Sequence, residues 1–153
     1  MSACPPTQLH FIALQDDLPA KRLRAFRRDA GWPTTPPRPA ADSMGRVQWV
    51  SAAIAQKQIG IARLELAAPA FCYVADLIIS RDWRGRGVGH WLIEQIERYC
   101  ASLGIQRLLL EASPGTAPFY AALGFQPDQR VPAMLCKNIS PLQRKLFLPT
   151  LPH

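Results

Sequence analysis

The sequence predicts an α/β (α+β) domain, and three observations carry that reading. An apolar run, residues 71–79, feeds a glycine-rich turn and then an amphipathic helix over 88–103; a further apolar strand, 105–110, follows that helix; and two strands, 46–54 and 58–66, form a hairpin ahead of the run. A chain of 153 residues suits one domain that buries about two thirds of its unfolded surface.

The elements follow in order. Residues 8–14 read as a first strand, and Asp16 and Asp17 are the cap signals for a helix over 18–30, with Pro19 tolerated in its first turn and Gly31 ending it. Residues 32–45 carry Pro33, Pro36, Pro37 and Pro39, which forbid regular helix and sheet and predict a long, partly extended loop. The hairpin turns near 55–57. The run 71–79 is continuously apolar and belongs at the centre of the sheet. Its one charge, Asp76, is costly there unless paired or functional: it either bonds a neighbour such as Arg63 or faces a catalytic cleft. In the helix over 88–103, Leu92, Ile93, Ile96, Cys100 and Leu103 make one apolar stripe, Glu94 and Arg98 form an i,i+4 pair on the other face, and Gly104 is the stop. A last strand is expected over 131–138. Beyond it, Ser140 and Pro141 open a short helix through 147, and Leu146, Phe147, Leu148 and Leu151 form an apolar tail that packs on the domain or on a second copy in a homodimer. Residues 1–138 thus form the domain and 139–153 its appended helix and tail.

Function is written most plainly in Arg84-Gly85-Arg86-Gly87-Val88-Gly89. A glycine-rich turn between strand and helix aims free backbone N–H groups at one point, where the helix dipole adds positive potential, and the expected occupant carries phosphate. Spacing selects among such turns. A dinucleotide fingerprint counted from Gly85 needs its last glycine where His90 stands, and a P-loop needs Gly-Lys where His90-Trp91 stand. The match is Arg-x-x-Gly-x-Gly, which resembles the pyrophosphate-binding turn of the GCN5-related N-acetyltransferases (GNAT). A second segment, Pro118-Phe119-Tyr120-Ala121-Ala122-Leu123-Gly124-Phe125, resembles the Phe-Tyr-x-x-x-Gly-Phe segment the same family carries at that distance. The resemblance covers residues 45 to 135 well and the rest loosely, and it is to the small single-domain bacterial members.

That resemblance implies a mixed, mostly antiparallel central sheet flanked by helices, and acetyl-CoA as co-substrate for acetylation of a primary amine. It implies that the strand before the turn splays from the next one, so that main-chain groups at Ile78 and Ile79 hold the pantetheine and the acetyl carbonyl. It implies that Arg84, Gly85, Arg86, Gly87, Val88 and Gly89 bind the pyrophosphate, and that Tyr120 protonates the departing thiolate. Many members bond the pantetheine through an asparagine after the next strand; Ala112-Ser113 stand there, leaving Ser113 as a shorter donor. The region after the first helix often lines the acceptor pocket, so Trp32 either lines it or packs on the core. A general base is not singled out: Asp76 is carried as the catalytic candidate beside Glu65, Glu111 and a water chain.

Composition bounds the partners. The net charge of +7 fits a phosphate-rich ligand steered by Arg81, Arg84 and Arg86. A second basic cluster, Lys21, Arg22, Arg24, Arg27 and Arg28, reads as a solvated helix face rather than a nucleic-acid surface. His90 reads as solvent-facing, and no spacing supports a metal. Cys4, Cys72, Cys100 and Cys136 are scattered and read as reduced thiols. No apolar stretch reaches the roughly 20 residues of a membrane span, and no charged-then-apolar leader begins the chain, so a cytoplasmic location is expected. Polyamine, aromatic amine, aminoglycoside, amino acid and protein amine acceptors fit equally. The rival reading is an acyl-CoA-binding regulatory or interaction module without transfer, which needs the turn but not Tyr120.

Overall fold

The computed structural model describes residues 8–34, 46–131 and 133–139; the proline-rich loop beyond Thr34, the helix and tail after Ile139 and hence the division between 1–138 and 139–153 lie outside the described residues. The elements are β1 (Leu9–Ala13), α1 (Ala20–Asp29), β2 (Arg46–Ile54), β3 (Lys57–Ala67), β4 (Phe71–Ile79), α2 (Val88–Ser102), β5 (Arg107–Glu111), α3 (Ala117–Ala122), β6 (Gln126–Pro127) and β7 (Met134–Asn138), with a 3₁₀ turn at Arg81–Trp83. Among the described residues they form one seven-stranded sheet in the order β1-β2-β3-β4-β5-β7-β6. Every neighbouring pair is antiparallel except β4 and β5, which run parallel across the α2 crossover. This is the mixed, mostly antiparallel sheet that was expected.

Helices cover both faces. Val88, Leu92, Ile93, Ile96 and Cys100 turn the buried side of α2 onto Val50, Leu64, Cys72, Val74, Leu108 and Leu110. Fully burying such side chains stabilises the fold by about 1.5–3 kcal/mol each. Leu23 and Phe26 of α1 cover Trp49, Ile61 and Ile78 on the opposite face. Three local expectations change. Pro19, not an aspartate, occupies the N-cap of α1, with no side-chain cap; Asp16 and Asp17 are exposed ahead of it. Leu103 is the C-cap of α2 and stands 40% exposed, because the stripe's last position falls where Gly104, at φ 80°, turns the chain away from the sheet. Glu94 pairs with His90 at 2.8 Å, one turn back toward the helix start, instead of with Arg98.

Two departures from regular pairing shape the sheet centre. Between the pairs Ile61↔Ile78 and Arg63↔Ala75, Ala62 alone faces Asp76 and Leu77, which is a β-bulge in β4. Asp76 takes the extra position at φ 49°, a left-handed conformation that a short polar side chain tolerates better than a branched one. β4 also pairs with β5 only over Cys72, Tyr73 and Val74. Past Val74 the two strands part, β4 staying with β3 and β5 with β7.

Candidate active site

Where β4 and β5 separate, a cleft of about 600 Å³ opens on the α2 side of the sheet. One wall is the end of β4, through Leu77 and Ile79; the second is the turn and first residues of α2, through Arg84, Gly85, Gly87, Val88, Gly89 and His90; the third is α3, through Thr116, Phe119, Tyr120 and Leu123. Trp83 closes one end. Ile78 turns the other way and is buried beneath α1.

The turn is built for main-chain contact. Gly87 is the N-cap of α2 at φ 79° and Gly85 has φ 72°, conformations that side-chain-bearing residues rarely adopt. The first helical bond runs from Trp91 N–H to the Gly87 carbonyl at 3.0 Å, so the amides of Val88, Gly89 and His90 lie ahead of it, the N–H groups a helix cannot satisfy internally. Gly89 packs close to α3: a Cβ there would sit 3.4 Å from the ring of Phe119, an ordinary contact distance.

The arginines of the turn have separate tasks. Arg84 donates from Nε to the Ile79 carbonyl at 2.9 Å and from its terminal nitrogen to Asp29 at the end of α1, at 3.3 Å to Oδ2 and 3.2 Å to the main-chain oxygen. Arg86 lies over the Trp83 ring at 4.9 Å and does not border the cleft.

Tyr120 is 9% exposed, its ring edge-on to Phe119 at 5.0 Å and Phe125 at 5.6 Å. Its hydroxyl has no hydrogen-bond partner among the described residues. Burial pushes its pKa up to about 12, since the phenolate would lose more hydration than the phenol. The group, like an ordinary phenol, keeps its proton through neutral pH, here beside the cleft.

Asp76 lies off the cleft. One carboxylate oxygen accepts from Arg27 of α1, and the other accepts from Arg63 Nε at 3.2 Å, while Arg63 also bonds Glu65. Asp76 and Arg27 side chains are each 6% exposed, so this is a buried ionic network. Arg27 further donates to the Pro33 carbonyl at 2.6 Å and lies 5.4 Å from the centre of the Trp32 ring, which packs beside the α1 core. Ser113 also lies outside the cleft walls; its hydroxyl is 3.3 Å from that of Thr116, and Thr116 is the residue of this loop that borders the cleft. Two residues that sequence reasoning passed over bear on the site, as does Phe119, which it read only as part of the second motif. Trp83 and Phe119 supply apolar wall, and Asp29 anchors Arg84; an acidic residue in the last turn of a helix, against the dipole, was the signal for the last. On the far face of the sheet, Tyr73 lies near Glu65 and Glu111, and burial, then the Glu111 and Glu65 charges, raise its pKa. Among the described residues no helix is long and apolar enough to cross a membrane.

Known proteins resemble this chain in sequence or in fold. A glucosamine 6-phosphate N-acetyltransferase of Trypanosoma brucei brucei is 31% identical over 58 residues, a stretch covering 38% of this chain and 40% of that relative. The crystal structure of the ribosomal-protein-S18-alanine N-acetyltransferase from Escherichia coli superposes with TM-score 0.63 at 17% identity, over 86% of this chain and 94% of that one. A GNAT family acetyltransferase from Elizabethkingia anophelis with acetyl-CoA bound gives TM-score 0.61 at 9% identity, over 87% and 99%. At these identities the two structures share the fold. The model of the acetyltransferase (GNAT) family matches residues 14–125, which spans α1, the bulged β4, the turn and α3, and the chain therefore belongs to the GNAT family of acyltransferases.

Proposed function

We propose that the protein transfers the acetyl group of acetyl-CoA to a primary amine, with Tyr120 as the general acid. The observation that carries this reading is the meeting, at one cleft, of three elements: the end of β4 that has parted from β5, the left-handed turn opening α2, and a buried tyrosine that holds its proton. The cleft fits the coenzyme in kind as well as size. Leu77, Ile79, Trp83 and Phe119 suit a pantetheine arm, and the orphan amides of the turn suit a pyrophosphate. His90, Ala122 and Leu123 also border a second, more polar groove of about 540 Å³ along α2, whose charged lining is mixed: Glu94 and Glu97 stand beside Arg98 and Lys137, and Lys137 is paired with Glu97 at 2.8 Å.

In this reading the neutral amine attacks the thioester carbonyl, the carbon–sulfur bond breaks, and the thiolate leaves with the Tyr120 proton. The amine proton passes to water or to a base on the acceptor side. Asp76 is assigned to architecture instead, because both its oxygens already accept from guanidinium groups. Thr116 borders the cleft where Ser113 was expected, but its hydroxyl donates to the Ser113 main-chain oxygen at 2.6 Å and is left with acceptor capacity only. The acceptors named for the two relatives, glucosamine 6-phosphate and an alanine of a ribosomal protein, have only an amine in common, and that is as far as the substrate is assigned.

Calorimetric titration with acetyl-CoA, coenzyme A and NADH tests the reading. Micromolar binding of the acyl coenzyme, with none of NADH, is expected, followed by thiol release in an amine screen. Tight binding without thiol release for any amine class would favour an acyl-CoA-binding module; absence of binding would remove the reading.

A further inference from the structure

Asp29 is the last residue of α1, where the negative end of the helix dipole disfavours a carboxylate. Its contacts explain the placement. Oδ2 accepts from the Arg81 main-chain N–H at 2.8 Å and from the Arg84 guanidinium at 3.3 Å, and Oδ1 lies 3.9 Å from Arg81 Nε. The main-chain oxygen of the same residue accepts from Arg84 at 3.2 Å. These donors, Arg81 and Arg84, both belong to the five residues between the end of β4 at Ile79 and Gly85. At Gly85 the turn lies open, since a Cβ built there would meet nothing within 4 Å; its other side-chain ties are Arg84 Nε to the Ile79 carbonyl and Arg86 over Trp83. Its entry is tied to α1 through Arg84 and its exit is the helix α2.

We infer that Asp29 is a positioning residue for the phosphate-binding turn, an inference that rests on the reading that this turn receives the coenzyme pyrophosphate. Asp29 holds Arg84 against the end of β4, so Arg84 shapes the turn and does not lend its full charge to the ligand. Phosphate recognition then falls to the main-chain N–H groups of the turn; Arg86 has no acidic partner among the described residues, but it stacks on Trp83 and lies off the cleft walls. The same last turn of α1 reaches the β4 bulge through Arg27 and Asp76, so one helix end sets the spacing between bulge and turn. Asp29 and Arg84 side chains are 34% and 43% exposed, and an ion pair that open to water adds little to global stability. Its loss should therefore be felt at the turn and not in the fold.

Titration of the full chain with acetyl-CoA, paired with thermal melts without ligand, separates these effects. Asp29→Ala should weaken acetyl-CoA binding about ten-fold while the melting temperature moves by no more than about 2 °C. Asp29→Asn, which can still accept from the Arg81 N–H, should fall between. Combined with Arg84→Ala, Asp29→Ala should weaken binding at least about three-fold less than the product of the separate losses, because the two side chains act as one unit. S-Acetylpantetheine, which lacks phosphate, should bind equally to all forms. Unchanged acetyl-CoA affinity in both Asp29 variants, fully multiplicative losses, or a melting temperature that falls in step with affinity would overturn the inference while leaving the acetyltransferase reading intact. Failure of the unsubstituted protein to bind acetyl-CoA would overturn both.

Discussion

Tyr120 and Asp76 are both ionisable groups withdrawn from water, and their surroundings give them opposite tasks. The tyrosine is enclosed by apolar rings, so its proton is held until about pH 12 and its hydroxyl stays free for a reacting partner. The aspartate has no such freedom, each oxygen being occupied by an arginine. Tyr120→Phe should lower kcat about 10²-fold, the usual worth of a positioned acid, with acetyl-CoA affinity within two-fold of the parent protein. Steady-state kinetics on the first amine found to release thiol would check this, and an unaltered rate would return Tyr120 to a packing role. Asp76→Asn leaves Arg27 and Arg63 without their shared counter-charge. Breaking a buried pair from one side costs about 3–5 kcal/mol, so its melting temperature should drop by roughly 10 °C while the variant still binds acetyl-CoA. A rate defect without loss of stability would instead make Asp76 catalytic.

At the scale of elements, the strand, turn and helix around the site were legible because each is dictated locally. Residues 71–79 and the start of α2 at Val88 fall where their apolar patterns predicted, and the glycine spacing identified the turn. The bulge was not legible. A continuously apolar strand has no alternation for an extra residue to disturb, so only the charge at Asp76 marked the place. β6 also escaped notice, since two residues, one of them Pro127 at the sheet edge, carry no periodicity. The tether from Asp29 to the turn joins residues 52 and 55 positions apart, and no sequence window spans it. The turn yields its own prediction. Gly87→Glu puts a side chain on a residue at φ 79° and a negative charge at the amides we propose for the phosphate, so acetyl-CoA binding should fall below detection in a calorimeter while the far-ultraviolet circular dichroism is retained. Unchanged affinity would remove the turn from the site.

For the whole molecule, the buried acids tie stability to alkaline pH. Tyr120 keeps its proton to about pH 12 in the folded chain, against 10.0 for the ordinary phenol of an unfolded one. Above pH 10 the unfolded state therefore binds fewer protons than the folded state, and stability falls as pH rises. Tyr73, raised by burial and by Glu111 and Glu65, acts in the same direction. So does Cys72, whose thiol is pushed far up by its hydrogen bond to Cys100 and by burial, so its contribution starts to fade near pH 9. For Tyr120 alone the loss amounts to about 1.4 kcal/mol by pH 11 and is absent at pH 8. Urea denaturation at pH 8 and pH 11 should thus show a smaller stability difference for Tyr120→Phe than for the parent protein, by that amount, whatever the phenylalanine costs at both pH values. An equal difference in the two proteins would mean that the Tyr120 hydroxyl is hydrated in the folded state. A hydrated phenol would titrate near its ordinary value and remain a capable acid at neutral pH, so this outcome would revise the burial of the site and leave the choice of acid to the kinetic test.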